Sequence, residues 1–158
     1  MATREKTTNH KALRHWKGDM EADYIYTTGI AGDKFFKEIK ESAKIKGTKC
    51  KNCKIVYVPP RMYCEQCFEK LDEWLDVSDK GTVHTYTICN MDLDGSKMDK
   101  PVIMAVIKLD GIHGGIIHRL GEVNPEDVKI GMKVQAIFKN REEREGSILD
   151  IKYFKPVK

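Results

Sequence analysis

No apolar run in this 158-residue sequence approaches the ~20 residues that span a bilayer. Residues 1–20 are polar and carry no apolar signal-peptide core. Both absences point to a cytoplasmic chain with no membrane partner. Catalytic groupings are missing as well. There is no phosphate-cradling glycine loop, no Ser-His-Asp grouping and no pair of carboxylates with a reason to be paired. His84, His113 and His118 are scattered, and no base stands beside Cys89, a lone cysteine in an alternating stretch. An enzyme acting by itself is therefore not the expectation.

A strong basic surplus is also absent. The formal charge is +4, with 28 Lys and Arg against 24 Asp and Glu. Residues 1–54 hold 13 basic and 7 acidic side chains, whereas residues 55–158 hold 15 and 17. The basic excess thus lies in the N-terminal third, and the remainder is mildly acidic, which disfavours a polyanion partner there.

What the sequence does have is a cysteine cluster. Cys50-Lys51-Asn52-Cys53 and Cys64-Glu65-Gln66-Cys67 form two Cys-x-x-Cys knuckles with ten residues between them. Each knuckle can place two sulfurs on one ion, and a turn brings the second pair round to complete a tetrahedron. Cys50, Cys53, Cys64 and Cys67 are the expected ligands of one structural zinc. Iron in a rubredoxin-like site is the chemical competitor, because the same four thiolates bind it. Four protein thiolates leave no open position, so a catalytic metal is not expected.

Three regions follow from the pattern. Residues 1–47 form an N-terminal helical segment. Within it Asp33 reads as an N-cap for a helix to about residue 46, with Phe35, Phe36, Ile39 and Ala43 on one face and Gly47 as the stop. Residues 48–72 form the ribbon. Residues 73–158 read as strands at 81–91, 101–109 and 112–120, a short helix opened by Asn124-Pro125, then strands at 132–139 and 147–154. The alternation puts Val83, Thr85, Thr87 and Cys89 on one face and His84, Tyr86 and Ile88 on the other. The 101–109 segment is apolar on both faces, as in a fully buried strand. Three strands, a short helix and two strands is the order of a five-stranded OB-fold barrel, and Gly114-Gly115 suits a bulge or close approach within it. The fold class is mainly β with N-terminal helices, a zinc ribbon and an OB barrel.

OB barrels often bind single-stranded nucleic acid through aromatics on their second and third strands. Neither strand has one here, so a nucleic-acid-binding ribbon and barrel is the lesser alternative. Tyr24, Ile25, Tyr26, Phe35, Phe36 and Ile39 load the N-terminal segment with apolar surface, which either packs on the barrel or docks on another protein.

The run Tyr26-Thr-Thr-Gly29, Asp33-Lys-Phe35-Phe36, Cys50-x-x-Cys53, Val58-Pro59-Pro60-Arg61, Cys64-x-x-Cys67 and Pro125-Glu126-Asp127-Val128-x-Ile130-Gly131-Met132-x-Val134 resembles the acyl-CoA-associated zinc-ribbon/OB-fold proteins. In archaea these accompany acetoacetyl-CoA thiolase and hydroxymethylglutaryl-CoA synthase. The resemblance implies a non-catalytic scaffold bridging the two enzymes of the mevalonate pathway, so that acetoacetyl-CoA passes from one to the other. It also suits contact with CoA or acyl-CoA, whose phosphates would meet the basic N-terminal third. On this basis Tyr24, Tyr26, Phe35 and Phe36 are expected to be partner-facing or hinge positions. One departure stands out. Family knuckles often carry glycine just after the second cysteine, where this chain has Lys54 and Phe68.

Overall fold

The computed structural model describes Lys11, residues 25–92 and residues 94–157. Helix α1 (Gly29–Ser42) leads into strands β1 (Ile45–Lys49), β2 (Val56–Val58) and β3 (Glu73–Val77). Strands β4 (Lys80–Met91), β5 (Lys97–Leu109), β6 (His113–Gly114), β7 (Ile116–Arg119), β8 (Lys133–Phe138) and β9 (Ile151–Pro156) follow.

The helix begins four residues before the expected Asp33 cap and ends earlier than expected. Its buried positions are Ala31, Phe35 and Ile39, spaced by four as one helical face requires. The chain leaves the helix through Ala43, whose φ of 52° turns it into the left-handed region. Gly47 does not stop a helix but sits within β1. A Cβ there would meet the Tyr57 carbonyl oxygen at 2.9 Å and Val77 Cγ2 at 3.0 Å, so the neighbouring strands require glycine.

Two sheets form. The smaller has the order β3-β1-β2-β6, and the larger β7-β5-β4-β8-β9. All neighbours in the larger sheet are antiparallel, and a parallel bridge between Leu120 and Phe154 draws its edges together. This is the expected five-stranded OB sheet. Between its third and fourth strands lies a single turn of 3-10 helix, Pro125–Asp127, rather than a longer helix.

The sheets share strands differently from the sequence pattern. Residues 73–77, expected at the start of the barrel, pair along their whole length with β1 in the ribbon sheet. The expected 112–120 strand divides at Gly115, where a Cβ would meet the Ile107 carbonyl oxygen at 2.9 Å. Its first piece, His113–Gly114, leaves the barrel and runs parallel to Tyr57–Val58 of the ribbon. The chain thus sews ribbon and barrel together.

The main core joins all three regions. Phe35 and Ile39 of α1, Ile45 and Val58 of the ribbon sheet, and Val83, Ile103, Ile107, Val134, Ile151 and Phe154 of the barrel form one buried cluster. Each such side chain contributes about 1.5–3 kcal/mol by leaving water. Arg144 ties the far end of the barrel to the helix by donating from Nη1 to the Ile39 carbonyl at 3.0 Å.

Candidate metal centre

The ribbon site is two copies of one turn. In the first, Cys50 N donates to the Ile55 carbonyl and Lys54 N to the Cys50 carbonyl, each at 2.9 Å. In the second, Cys64 N donates to the Glu69 carbonyl at 2.9 Å and Phe68 N to the Cys64 carbonyl at 3.0 Å. Lys54 and Phe68 occupy equivalent places, with φ of 60° and 58°. The family departure at these positions therefore leaves the turn intact. Two ordinary side chains are held in the left-handed region that glycine enters without penalty.

These turns bring the four cysteine sulfurs within 4.8 Å of one another. Cys50 Sγ lies 3.5 Å from Cys67 Sγ, and Cys64 Sγ lies 3.9 Å from Cys53 Sγ. Cys50 and Cys64 are buried, Cys53 is half-buried and Cys67 faces solvent. All four predicted ligands thus come together. Tetrahedral zinc is bound by thiolates at about 2.3 Å, which suits sulfurs at this spacing.

The surrounding groups favour ionised sulfur at Cys64 and oppose it at Cys53. Cys53 N approaches Cys50 Sγ at 3.4 Å. The Tyr57 hydroxyl lies 3.2 Å from Cys64 Sγ. That contact is the foremost cause that brings the Cys64 thiol down to about 6, and it pushes the Tyr57 hydroxyl up to about 12. Cys53 is pushed up to about 12, chiefly by its contact with the Cys67 sulfur. Four neighbouring thiolates repel one another, and a divalent cation relieves that repulsion. Tyr57, Cys50, Cys64 and Leu71 form the ribbon's own small core. Residue spacing alone did not single out Tyr57. Its position one residue before the Val58-Pro59-Pro60 segment was the available signal.

The partner-facing residues fare differently. Phe35 is 2% exposed and belongs to the main core, because it shares the helix face of Ala31 and Ile39. Its ring is not available to a partner. Phe36 is half-buried, packs against that core and meets the Phe35 ring edge-on at 5.3 Å. Tyr26 is exposed, and Tyr24 lies outside the described residues. The three candidate histidines, His84, His113 and His118, stay apart. His113 faces Glu65 at 3.3 Å, His118 is on the buried row of β7, and His84 occupies a register shift in β4. Cys89 pairs with Val102 across the sheet.

Two family models match the chain. The ChsH2 rubredoxin-like zinc ribbon domain matches residues 38–72, and the ChsH2 C-terminal OB-fold domain matches residues 74–139. A DUF35 domain-containing scaffold protein of Methanocaldococcus jannaschii is 34% identical over 125 residues, covering 77% of this chain and 88% of that protein. The chain belongs to the DUF35 family. A second DUF35 scaffold protein, from Methanothermobacter thermautotrophicus, is 30% identical over 77% of this chain and 92% of its own length. A crystal structure of a DUF35 protein of unknown function from Sulfolobus solfataricus has a TM-score of 0.63 at 32% identity, over 82% of this chain and 85% of that one. The Ltp2-ChsH2(DUF35) aldolase shares the fold alone, with a TM-score of 0.58 at 19% identity, over 78% of this chain and 93% of that one. This DUF35 chain therefore carries the ribbon and barrel of the family, with the four-cysteine site in the ribbon.

Proposed function

We propose that this DUF35 protein is a non-catalytic scaffold that holds acetoacetyl-CoA thiolase against hydroxymethylglutaryl-CoA synthase in the cytoplasm, with one structural zinc in its ribbon. Condensation by a thiolase is uphill, and a synthase held beside it consumes the product. Such coupling would serve the mevalonate route to isoprenoids.

The observation that carries this proposal is the joining of the ribbon to the barrel through the parallel pairing of Tyr57–Val58 with His113–Gly114. A closed four-thiolate metal site offers no position to a substrate, so its use is mechanical. Locked to the barrel, it fixes the relative orientation of two docking surfaces. The scaffold names of the archaeal relatives support the same role. Exposed Tyr26, beside the start of α1, belongs to the proposed N-terminal docking surface. The cleft of about 360 Å³ beside α1 sets Lys37 and Lys40 among Asp33, Glu41 and Glu145, so its lining is slightly acidic rather than phosphate-seeking.

Purification of the protein from its native cells, followed by mass spectrometry, tests the proposal. Thiolase and synthase are both expected in stoichiometric amounts. A protein that runs alone would overturn the scaffold role. Release of CoA from acetoacetyl-CoA by the isolated protein would overturn the non-catalytic one.

A further inference from the structure

Strand β5 is apolar on both faces, yet the described residues cover only one of them. Ile103, Ala105, Ile107 and Leu109 point into the barrel and are buried. Val102, Met104 and Val106 alternate with them on the outer face and stay partly exposed. β7 repeats the pattern, with Ile116 and His118 buried and Ile117 68% exposed. Leu149, 61% exposed, extends the apolar surface beyond the edge of the sheet. Outward-facing positions of an antiparallel sheet against water are normally polar. A contiguous apolar face of this kind marks an interaction surface.

The face is shaped rather than flat. A cavity of about 270 Å³ lies among Met104, Ile117, His118, Arg119, Ile148 and Leu149. A second, of about 190 Å³, continues from Met104 and Ile117 toward Thr85, Thr87 and Val106. His118, only 5% exposed, lines the first cavity. Its Nε2 is 3.3 Å from the Ile148 carbonyl, and its Nδ1 has no partner among the described residues. That nitrogen is itself shut off from solvent, so it offers no acceptor to an incoming group.

Charge identifies the complement. Lys100 and Lys108 bracket the outward row of β5, and Arg119 ends that of β7. Thr82, Thr85 and Thr87 lie opposite on β4 without an acidic side chain among them. The outward face is therefore an apolar strip flanked at its ends by cations, although the barrel region as a whole is mildly acidic. Its outward rows contain no aromatic side chain on which a base could stack, which disfavours single-stranded nucleic acid.

We infer that the outer face of β4, β5 and β7 docks one enzyme of the complex, through a protein surface that inserts an apolar anchor into the hollow at Met104 and Ile117 and meets the flanking cations with carboxylates. A large apolar or aromatic side chain meets the anchor's description, as at the centre of other interfaces. This inference rests on the scaffold role proposed above.

The test uses the full zinc-loaded chain with purified acetoacetyl-CoA thiolase and hydroxymethylglutaryl-CoA synthase from the same source, each titrated separately. Ile117→Lys alters a side chain that is already exposed, and Lys100→Glu with Lys108→Glu reverses the rim. Zinc content and thermal midpoint report that each variant is folded. Ile117→Lys is expected to weaken at least one enzyme's binding by roughly thirtyfold or more, as loss of a central contact does. The double reversal is expected to weaken the same enzyme and to flatten its salt dependence. If the unaltered protein binds neither enzyme, the scaffold role falls. If it binds and both variants bind equally well, that role stands and this face is not the dock. A wild-type dimer that Ile117→Lys renders monomeric would assign the face to a second copy and overturn the inference. So would low-salt binding of an oligo-dT strand that Ile117→Lys abolishes.

Discussion

The Tyr57 hydroxyl lies 3.2 Å from Cys64 Sγ, inside a ribbon core from which water is excluded. In the parallel pair of β2 with β6, the same residue aligns with His113, the point at which the barrel chain crosses to the ribbon. One side chain thus touches both the metal site and the seam. The hydroxyl donates to the sulfur, favours the thiolate and holds the Cys64 thiol down to about 6. Metal binding competes with protons for that sulfur, so a lower thiol pKa keeps the ligand available in more acidic solution.

Tyr57→Phe removes the donor and keeps the ring. Zinc affinity is expected to fall roughly tenfold to hundredfold, the usual cost of losing a hydrogen bond to a metal ligand. The direction with pH follows. Without the donor the Cys64 pKa rises, so zinc is released at a higher pH than from the wild type. A pH titration read with a chromogenic zinc indicator checks this. An unchanged release midpoint would show that the hydroxyl does not support the thiolate.

Cys64→Ala removes a buried ligand, and its consequence extends beyond the ribbon. Val58 of β2 lies in the main core, and β2 carries β6. Loss of the metal is therefore expected to free Tyr57–Val58 from His113–Gly114 and lower the thermal midpoint of the barrel as well. Wild-type protein stripped by a chelator is expected to behave in the same way. Hydrogen exchange at His113 and Gly114 reads the seam directly, and complex formation with the enzymes is expected to be lost in parallel. Retention of both zinc content and assembly in Cys64→Ala would refute the mechanical role of the site.

The metal site was legible because its information is local. Two Cys-x-x-Cys pairs fix the sulfurs through turns that close within six residues, as the matched bonds from Cys50 to Ile55 and from Cys64 to Glu69 record. The order of the barrel strands was legible for a similar reason, since hydrophobic alternation and turn residues are near-neighbour signals. The seam was not. Pairing of Tyr57 with His113 spans more than fifty residues, and nothing in the composition of a two-residue strand announces it. Alternation in β4 also failed at His84. The register shift between Val83 and Thr85 turns Val83 inward but Thr85 and Thr87 outward, although the sequence places all three on one face. Phe35 shows the remaining difficulty. An aromatic on an amphipathic helix looks the same in sequence whether its apolar face meets its own barrel or a partner.

Lys54 and Phe68 offer a prediction of the opposite sign, toward greater stability. Each holds a left-handed φ, and both side chains are exposed. Glycine removes the clash between Cβ and the backbone, worth about 1–2 kcal/mol, but gives back part of that gain through a freer unfolded chain. Lys54→Gly and Phe68→Gly are each expected to stabilise the zinc-loaded protein by about 0.5–1 kcal/mol. Denaturant unfolding at fixed zinc measures the change. Destabilisation by Phe68→Gly would show that its ring contributes packing that offsets the strained backbone.

Asp150 is fully buried at the start of β9 and acts as a hub for the preceding turn. Its Oδ1 accepts from Glu145 N at 3.0 Å, and its Oδ2 accepts from Gly146 N at 2.7 Å and Ser147 N at 3.2 Å. Burial tends to raise its pKa, but the three amide donors outweigh that effect and hold the carboxyl below its ordinary value. A depressed folded-state pKa means that the unfolded chain takes up the proton more readily. The carboxylate's contribution is complete above its unfolded value of about 3.9 and fades as the pH falls through the lower folded value. Asp150→Asn keeps the shape but turns one acceptor into a donor facing N–H groups. The expected loss is about 1–3 kcal/mol at neutral pH, the usual range for hydrogen bonds to a buried charged group. The gap between wild type and variant should hold constant from pH 7 to about 5 and narrow below about pH 4. Urea unfolding of both proteins across that range measures it. A gap that stays constant to pH 3 would mean that the neutral acid serves the turn as well as the carboxylate does.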